Sequence, residues 1–117
     1  MEKTAVTEAL AALAQENRLD AFRLLVQAGP EGLAAGEVAA SLGLPPNTLS
    51  FHFDRLRQAG LVSVRREGRS MIYAARYETM NALIGFLTDN CCGGATACAP
   101  ASPCTPSPRK RQKERLS

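Results

Sequence analysis

Two glycine/proline interruptions followed by a change of hydrophobic period constrain this chain more than any other feature. The segment Ala35 to Leu42 carries Val38 and Leu42 at helical spacing, Gly43 closes it, and Pro45-Pro46-Asn47 opens the next segment. Proline is preset for the first turn of a helix and is excluded from deeper positions. In the helix it opens, Leu49, Phe53 and Leu56 fall at i, i+4 and i+7, a single apolar stripe that Ala59-Gly60 ends. Two short helices across a tight turn, the second polar on its outer face, describe a helix-turn-helix. The period then changes. Leu61-Val62-Ser63-Val64-Arg65-Arg66 and Ser70-Met71-Ile72-Tyr73-Ala74-Ala75 are β-prone runs around Glu67-Gly68-Arg69, which predicts a hairpin with a charged tip.

The flanking segments complete a mainly α (α+β) fold, a winged helix-turn-helix between an N-terminal and a C-terminal helix. Val6, Leu10 and Leu13 predict a first helix over Thr4 to Ala14. A second, capped by Asn17, runs from Arg18 to Gln27 with Leu19, Phe22, Leu25 and Val26 inward, and Gly29-Pro30 stops it. Met80, Leu83, Ile84 and Leu87 stripe a last helix over Tyr77 to Thr88. From Cys91 onward periodicity is lost and no regular structure is expected. The 117 residues thus divide into a folded unit (1–90), a cysteine-rich segment (91–104) and a basic tail (105–117). The absence of Trp and an aromatic content of 5% favour a helix-rich core of Ala, Leu and Val. The longest apolar run, Ala9 to Ala14, is far short of the roughly 18 residues of a membrane span. The start MEKTAVTEAL lacks the apolar stretch of a signal peptide. The expected location is the cytoplasm, with no membrane partner.

Charge is unevenly spread. The net +3 conceals −3 over residues 1–53, +4 over 54–76, −2 over 77–98 and +4 over 99–117. The central basic block places Arg55 and Arg57 on the helix after the turn, Arg65, Arg66 and Arg69 around the hairpin tip, and Arg76 behind it. A helix in the major groove flanked by a wing over the sugar-phosphate backbone would lay these charges along double-stranded DNA. A solvated basic face is the plain alternative. Asn47, Thr48, Ser50 and Phe51 are the candidates for base and phosphate contacts, Phe51 through a thymine methyl. Asp54 is unfavourable beside phosphate and is expected towards the helix end, paired with an arginine. His52 is the one histidine. It belongs to the candidate DNA-binding set, although a lone histidine flanking an apolar stripe is more often a packing or hydrogen-bonding residue.

The run Ser50-Phe51-His52-Phe53-Asp54-Arg55-Leu56-Arg57-Gln58-Ala59-Gly60-Leu61-Val62 resembles the S-x-H-L-x-x-L-x-x-A-G-L-V signature of ArsR/SmtB-type winged-helix repressors, with Phe53 at the usual Leu. The wing residues Arg66-Glu67-Gly68-Arg69 and Tyr73 fit as well, and the similarity runs from about Leu10 to Asn90. The resemblance implies a homodimer that represses a resistance operon and leaves its operator when a metal ion or metalloid binds. It implies a dimer interface on the first and last helices, here Val6, Leu10, Leu13, Met80, Leu83, Ile84 and Leu87. Dimerisation is also plausible from the stripes themselves, which have little else to cover in so small a domain. Two common sensor sites are missing. Glu37-Val38-Ala39-Ala40-Ser41-Leu42 has no cysteine, and Met80-Asn81-Ala82-Leu83-Ile84-Gly85 has neither His nor carboxylate. What remains is similar to arsenic repressors with a Cys-Cys pair just past the last helix and a third Cys beyond, matched by Cys91, Cys92 and Cys98.

All four cysteines, Cys91, Cys92, Cys98 and Cys104, lie within fourteen positions. In a reducing compartment they are expected as thiols. Soft thiolates select soft ions, and trivalent arsenic or antimony prefers three sulfurs in a pyramid. Cys104 is a spare thiol or an alternate ligand. A Cys₄ zinc site usually uses C-x₂₋₄-C pairs, which this spacing fits poorly. Other soft ions (zinc, cadmium, mercury, lead) and thiol oxidation remain open. An enzyme is not expected: there is no G-x-G-x-x-G for an organic cofactor, no C-x-x-C, and the single His leaves no Ser/His/Asp set.

Overall fold

In the computed structural model, which describes residues 1–94, the chain threads five helices through a small sheet. Helix α1 spans Lys3–Leu13, α2 Glu16–Ala28, strand β1 Leu33–Ala34, α3 Ala35–Leu42 and α4 Pro46–Gln58. Strands β2 (Val62–Glu67) and β3 (Ser70–Ala75) form the hairpin, α5 covers Tyr77–Leu87, and a tight turn with non-helical backbone occupies Cys91–Gly94. The sheet is antiparallel in the order β1-β3-β2, with Val62 opposite Ala75 and Glu67 opposite Ser70 across the wing.

Local chemistry accounts for the element ends. Helix α3 lies where its pattern predicts: the Glu37 carboxylate accepts the Ala34 N–H at 2.9 Å, and left-handed Gly43 terminates it. Helix α4 starts with Pro46 in its first turn. Helix α2 begins two residues before the predicted Arg18, because the Gln15 side chain rather than Asn17 caps it, accepting the Arg18 N–H at 2.9 Å. Strand β1 escapes sequence reading, since two residues carry no periodicity. Its approach to β3, pairing Leu33 with Tyr73, depends on Gly32, whose φ is +73° and whose missing Cβ would collide with the Tyr73 carbonyl.

The core is one cluster built from every helix. Leu25, Val38, Leu49, Phe53, Leu56 and Leu61 are fully buried, together with Val6, Ala9, Phe22, Val62 and Leu83. Phe53 stacks on Tyr73 with ring centroids 4.0 Å apart, locking α4 against the sheet. The Tyr77 hydroxyl donates to the Val26 carbonyl at 2.9 Å and ties the start of α5 to α2. Leu19 departs from its predicted inward position and is 42% exposed, because the buried face of α2 is centred on Ala21, Phe22 and Leu25. Cys91–Gly94, expected without regular structure, is a tight turn in which Cys92 and Gly93 take positive φ, as does Asn90 just before it. The Cys91 N–H donates to Thr88 O at 2.9 Å, so this turn is fastened to the end of α5. Cys98, Cys104 and the basic tail lie outside the described residues.

Candidate nucleic-acid interface and thiol pair

Helix α4 divides cleanly into two faces. Leu49, Phe53 and Leu56 point into the core as predicted, while Asn47, Ser50, Phe51, Asp54, Arg55, Arg57 and Gln58 are exposed and Thr48 is half-buried. The Asn47 Oδ1 accepts the Thr48 N–H at 3.1 Å, which fixes the entry to the helix. Asp54 meets Arg57 at 3.6 Å, the expected pairing that offsets its charge on this face. Arg55 lies with its guanidinium carbon 5.5 Å from the Phe51 ring centroid.

The wing carries its arginines in different states. Arg65 is braced, with Nε donating to Glu67 Oε2 at 2.8 Å and Nη2 donating to the Glu31 carbonyl at 2.9 Å. This clamps the hairpin to the loop before β1. Arg66 donates to the Gly68 carbonyl at 3.3 Å, and Arg69 stands exposed at the tip. Arg76, behind the hairpin, faces Glu78 at 3.8 Å. The structure therefore brings Asn47, Thr48, Ser50, Phe51, Arg55, Arg65, Arg66 and Arg69 onto two adjoining elements, one helix and one wing.

His52 is a correction to the candidate DNA-binding set. It is buried beneath α4, and its Nδ1 lies 3.4 Å from Arg18 Nη1. Arg18 also donates from Nε to the Ala12 carbonyl at 2.7 Å. One guanidinium thus joins the end of α1, the start of α2 and the underside of α4, a link that residue spacing could not reveal. Burial, and then the Arg18 charge, hold the His52 pKa below 6.5, so the ring is a neutral acceptor toward Arg18. Burial chiefly pushes the Tyr73 hydroxyl up, with Asp54 adding to the effect.

The proposed dimer residues separate. Val6 and Leu83 are buried in the core of their own chain and offer no surface to another, a correction to their assignment. Leu10, Ile84 and Leu87 are exposed, Leu87 at 59%. Leu13 and Met80 are half-buried in an apolar groove of about 450 Å³ that Leu19, Phe22, Val26 and Ile84 also line. Leu19 belongs to this face although its pattern had assigned it to the core.

The Cys91 and Cys92 sulfurs stand 3.8 Å apart directly behind α5. Cys91 is a free thiol and Cys92 is disulfide-bonded, which corrects the expectation of thiols throughout. Among the described residues no three His, Cys, Asp or Glu side chains converge as a metal site, and among them no helix is long and apolar enough to cross a membrane.

Known proteins share this architecture. Residues 13–65 match the model of a helix-turn-helix domain. The HTH-type transcriptional regulator YceK of Bacillus subtilis is 38% identical over 77 residues, covering 65% of this chain and 76% of the relative. Reduced HlyU from Vibrio cholerae superposes with a TM-score of 0.59 at 31% identity, over 76% of this chain and 90% of that one. A homodimeric winged helix-turn-helix DNA-binding domain from Mycobacterium bovis, described as a possible ArsR-family regulator, gives a TM-score of 0.60 at 28% identity, over 80% and 86%. The chain belongs to the ArsR-like family of helix-turn-helix transcriptional regulators, which are DNA-binding proteins and not enzymes.

Proposed function

We propose that this protein is a homodimeric repressor of an arsenic-resistance operon, acting in the cytoplasm, whose hold on operator DNA is released when trivalent arsenic or antimony binds the thiolates of Cys91, Cys92 and Cys98. The observation that carries the reading is the sulfur pair, 3.8 Å apart, on a turn fastened to the end of α5. Two thiolate sulfurs each about 2.3 Å from one ion at tetrahedral angles stand roughly 3.8 Å apart, so the pair fits one soft ion once the disulfide at Cys92 is reduced. Cys98 is the third donor and Cys104 an alternate. Residues 1–90 would form the DNA-binding and dimerising unit, 91–104 the metalloid-binding segment, and 105–117 a basic tail adding weak, non-specific attraction to DNA.

Support for the dimer comes from α5. Its exposed Ile84 lines the apolar groove shared with α1 and α2, Leu87 is exposed on the same helix, and the Mycobacterium bovis relative is homodimeric. Two recognition helices must sit about one helical turn of DNA apart, roughly 34–36 Å. Ordering the segment behind α5 would tilt the paired helices and spoil that spacing. Release requires that the ion bind the DNA-free arrangement more tightly than the DNA-bound one. The Arg18 link from α1 to His52 under α4 is a path by which a shift at the dimer face would reach the recognition helix.

A second reading rests on the disulfide at Cys92: oxidation, rather than an ion, would order the same segment. One experiment tests both. The reduced full-length protein is titrated against a labelled duplex from upstream of its own gene, then challenged with arsenite, antimonite, zinc and cadmium, or with peroxide followed by dithiothreitol. Release by arsenite or antimonite from wild type but not from Cys98→Ser is expected. Release by peroxide alone, reversed by dithiothreitol, would instead favour the redox reading. If arsenite releases Cys98→Ser as readily as wild type, the three-thiolate assignment is wrong.

A further inference from the structure

We infer that Phe51 and Arg55 act as one composite reader of a thymine–guanine step in the major groove, the ring against the thymine methyl and the guanidinium across the guanine N7/O6 edge. The inference rests on α4 being the helix that enters DNA and names what that helix selects. Phe51 is 56% exposed, the one large apolar side chain on an otherwise polar outward face. A single exposed apolar residue is ordinary on a protein surface. This one is held, however. The Arg55 guanidinium covers its ring at 5.5 Å, and the buried His52 ring lies 5.9 Å away, tilted 60°.

The arginines of α4 differ in what they face. Arg57 is paired with Asp54, whereas Arg55 forms no ion pair among the described residues. Its contact is with a ring face, which leaves the N–H fork open. Stacking also removes rotamer freedom that a free arginine would lose on binding. The chemistry of the groove then selects the target. Thymine alone presents a methyl group there, and guanine alone presents two acceptors matched to a bidentate arginine. Positions i and i+4 on a helix put their Cβ atoms about 5–6 Å apart, close enough for the two side chains to meet neighbouring base pairs.

The test selects sites for the full-length wild-type protein from duplexes randomised over about two helical turns, then modifies the selected half-site base by base. Enrichment of adjacent T and G is expected. Replacing that thymine by deoxyuridine, which lacks the methyl, should weaken wild type about fourfold. Replacing the guanine by 7-deazaguanine should weaken it at least fivefold, roughly. Phe51→Ala should lose the deoxyuridine effect and blunt the guanine effect, because the stacked fork is no longer held. Arg55→Lys should keep the salt dependence of binding and weaken guanine selectivity, since an ammonium lacks the planar fork. Both side chains are exposed, and an unchanged urea midpoint confirms that the variants fold. The inference is overturned if enriched sites lack the step, or if both variants weaken every duplex equally, as phosphate contacts would. If wild type enriches nothing and also ignores its own upstream DNA, the repressor reading fails and takes this inference with it.

Discussion

Helices α4 and α5 are built from the same kind of apolar stripe and end in opposite situations. In α4, Leu49, Phe53 and Leu56 are buried to 1% exposure or less, and the polar half faces solvent. In α5 only Leu83 is buried, while Ile84, Phe86 and Leu87 remain exposed on the outside. The first helix is finished by its own chain and the second is not. An amphipathic stripe says that a surface will be covered, and it leaves open whether the cover comes from the same molecule. The division follows: the finished helix can present a rigid polar face, and the unfinished one keeps an apolar face open to a partner.

The contrast predicts large effects at one end and specific ones at the other. Phe53→Ala removes a fully buried ring stacked on Tyr73 and should cost about 3–5 kcal/mol, measured as a collapse of the urea midpoint. The double variant Ile84→Glu, Leu87→Glu should leave monomer stability within about 1 kcal/mol. Sedimentation should nevertheless show monomers, and operator affinity should fall more than tenfold. Unchanged sedimentation would mean that α5 is not the dimer face.

Smaller changes sharpen the DNA end. Acid should weaken the fold through His52. Its folded pKa is depressed below 6.5, so the unfolded chain takes up the proton first. That stability is complete above about pH 6.5 and declines as pH falls toward the folded value. His52→Asn should flatten this slope in urea titrations between pH 5 and 7.5. Arg69→Ala at the wing tip should weaken all sequences alike and reduce the salt slope of binding by about one, read by anisotropy across a salt series. Asp54→Asn should shift stability by only about 0.2–0.5 kcal/mol, its exposed partner being Arg57. A larger loss would mean that the pair positions α4.

Sequence reading reached furthest where one residue type answers a local demand. Pro46 opening α4, Gly43 closing α3 and the Leu49/Phe53/Leu56 stripe all sit where their patterns say, because caps and periodicity are properties of neighbouring residues. It fell short wherever the answer came from distant chain. Val6 and Leu83 carry the same stripe as Leu10 and Ile84, and only packing separates those that face the core from those left outside. His52 reads as a DNA-facing residue or a packing one until Arg18, from 34 positions away, settles it beneath α4.

By itself, the order of residues determined a helix-turn-helix with a charged wing and a cluster of cysteines past the last helix, since those features are written in spacing, charge and composition. Tertiary structure alone decided the clamp of Arg65 on the loop before β1 and the Arg18 bridge between α1 and α4. The reason is physical. Periodicity records which surface a segment must hide, and contact geometry depends on where the rest of the chain arrives to hide it.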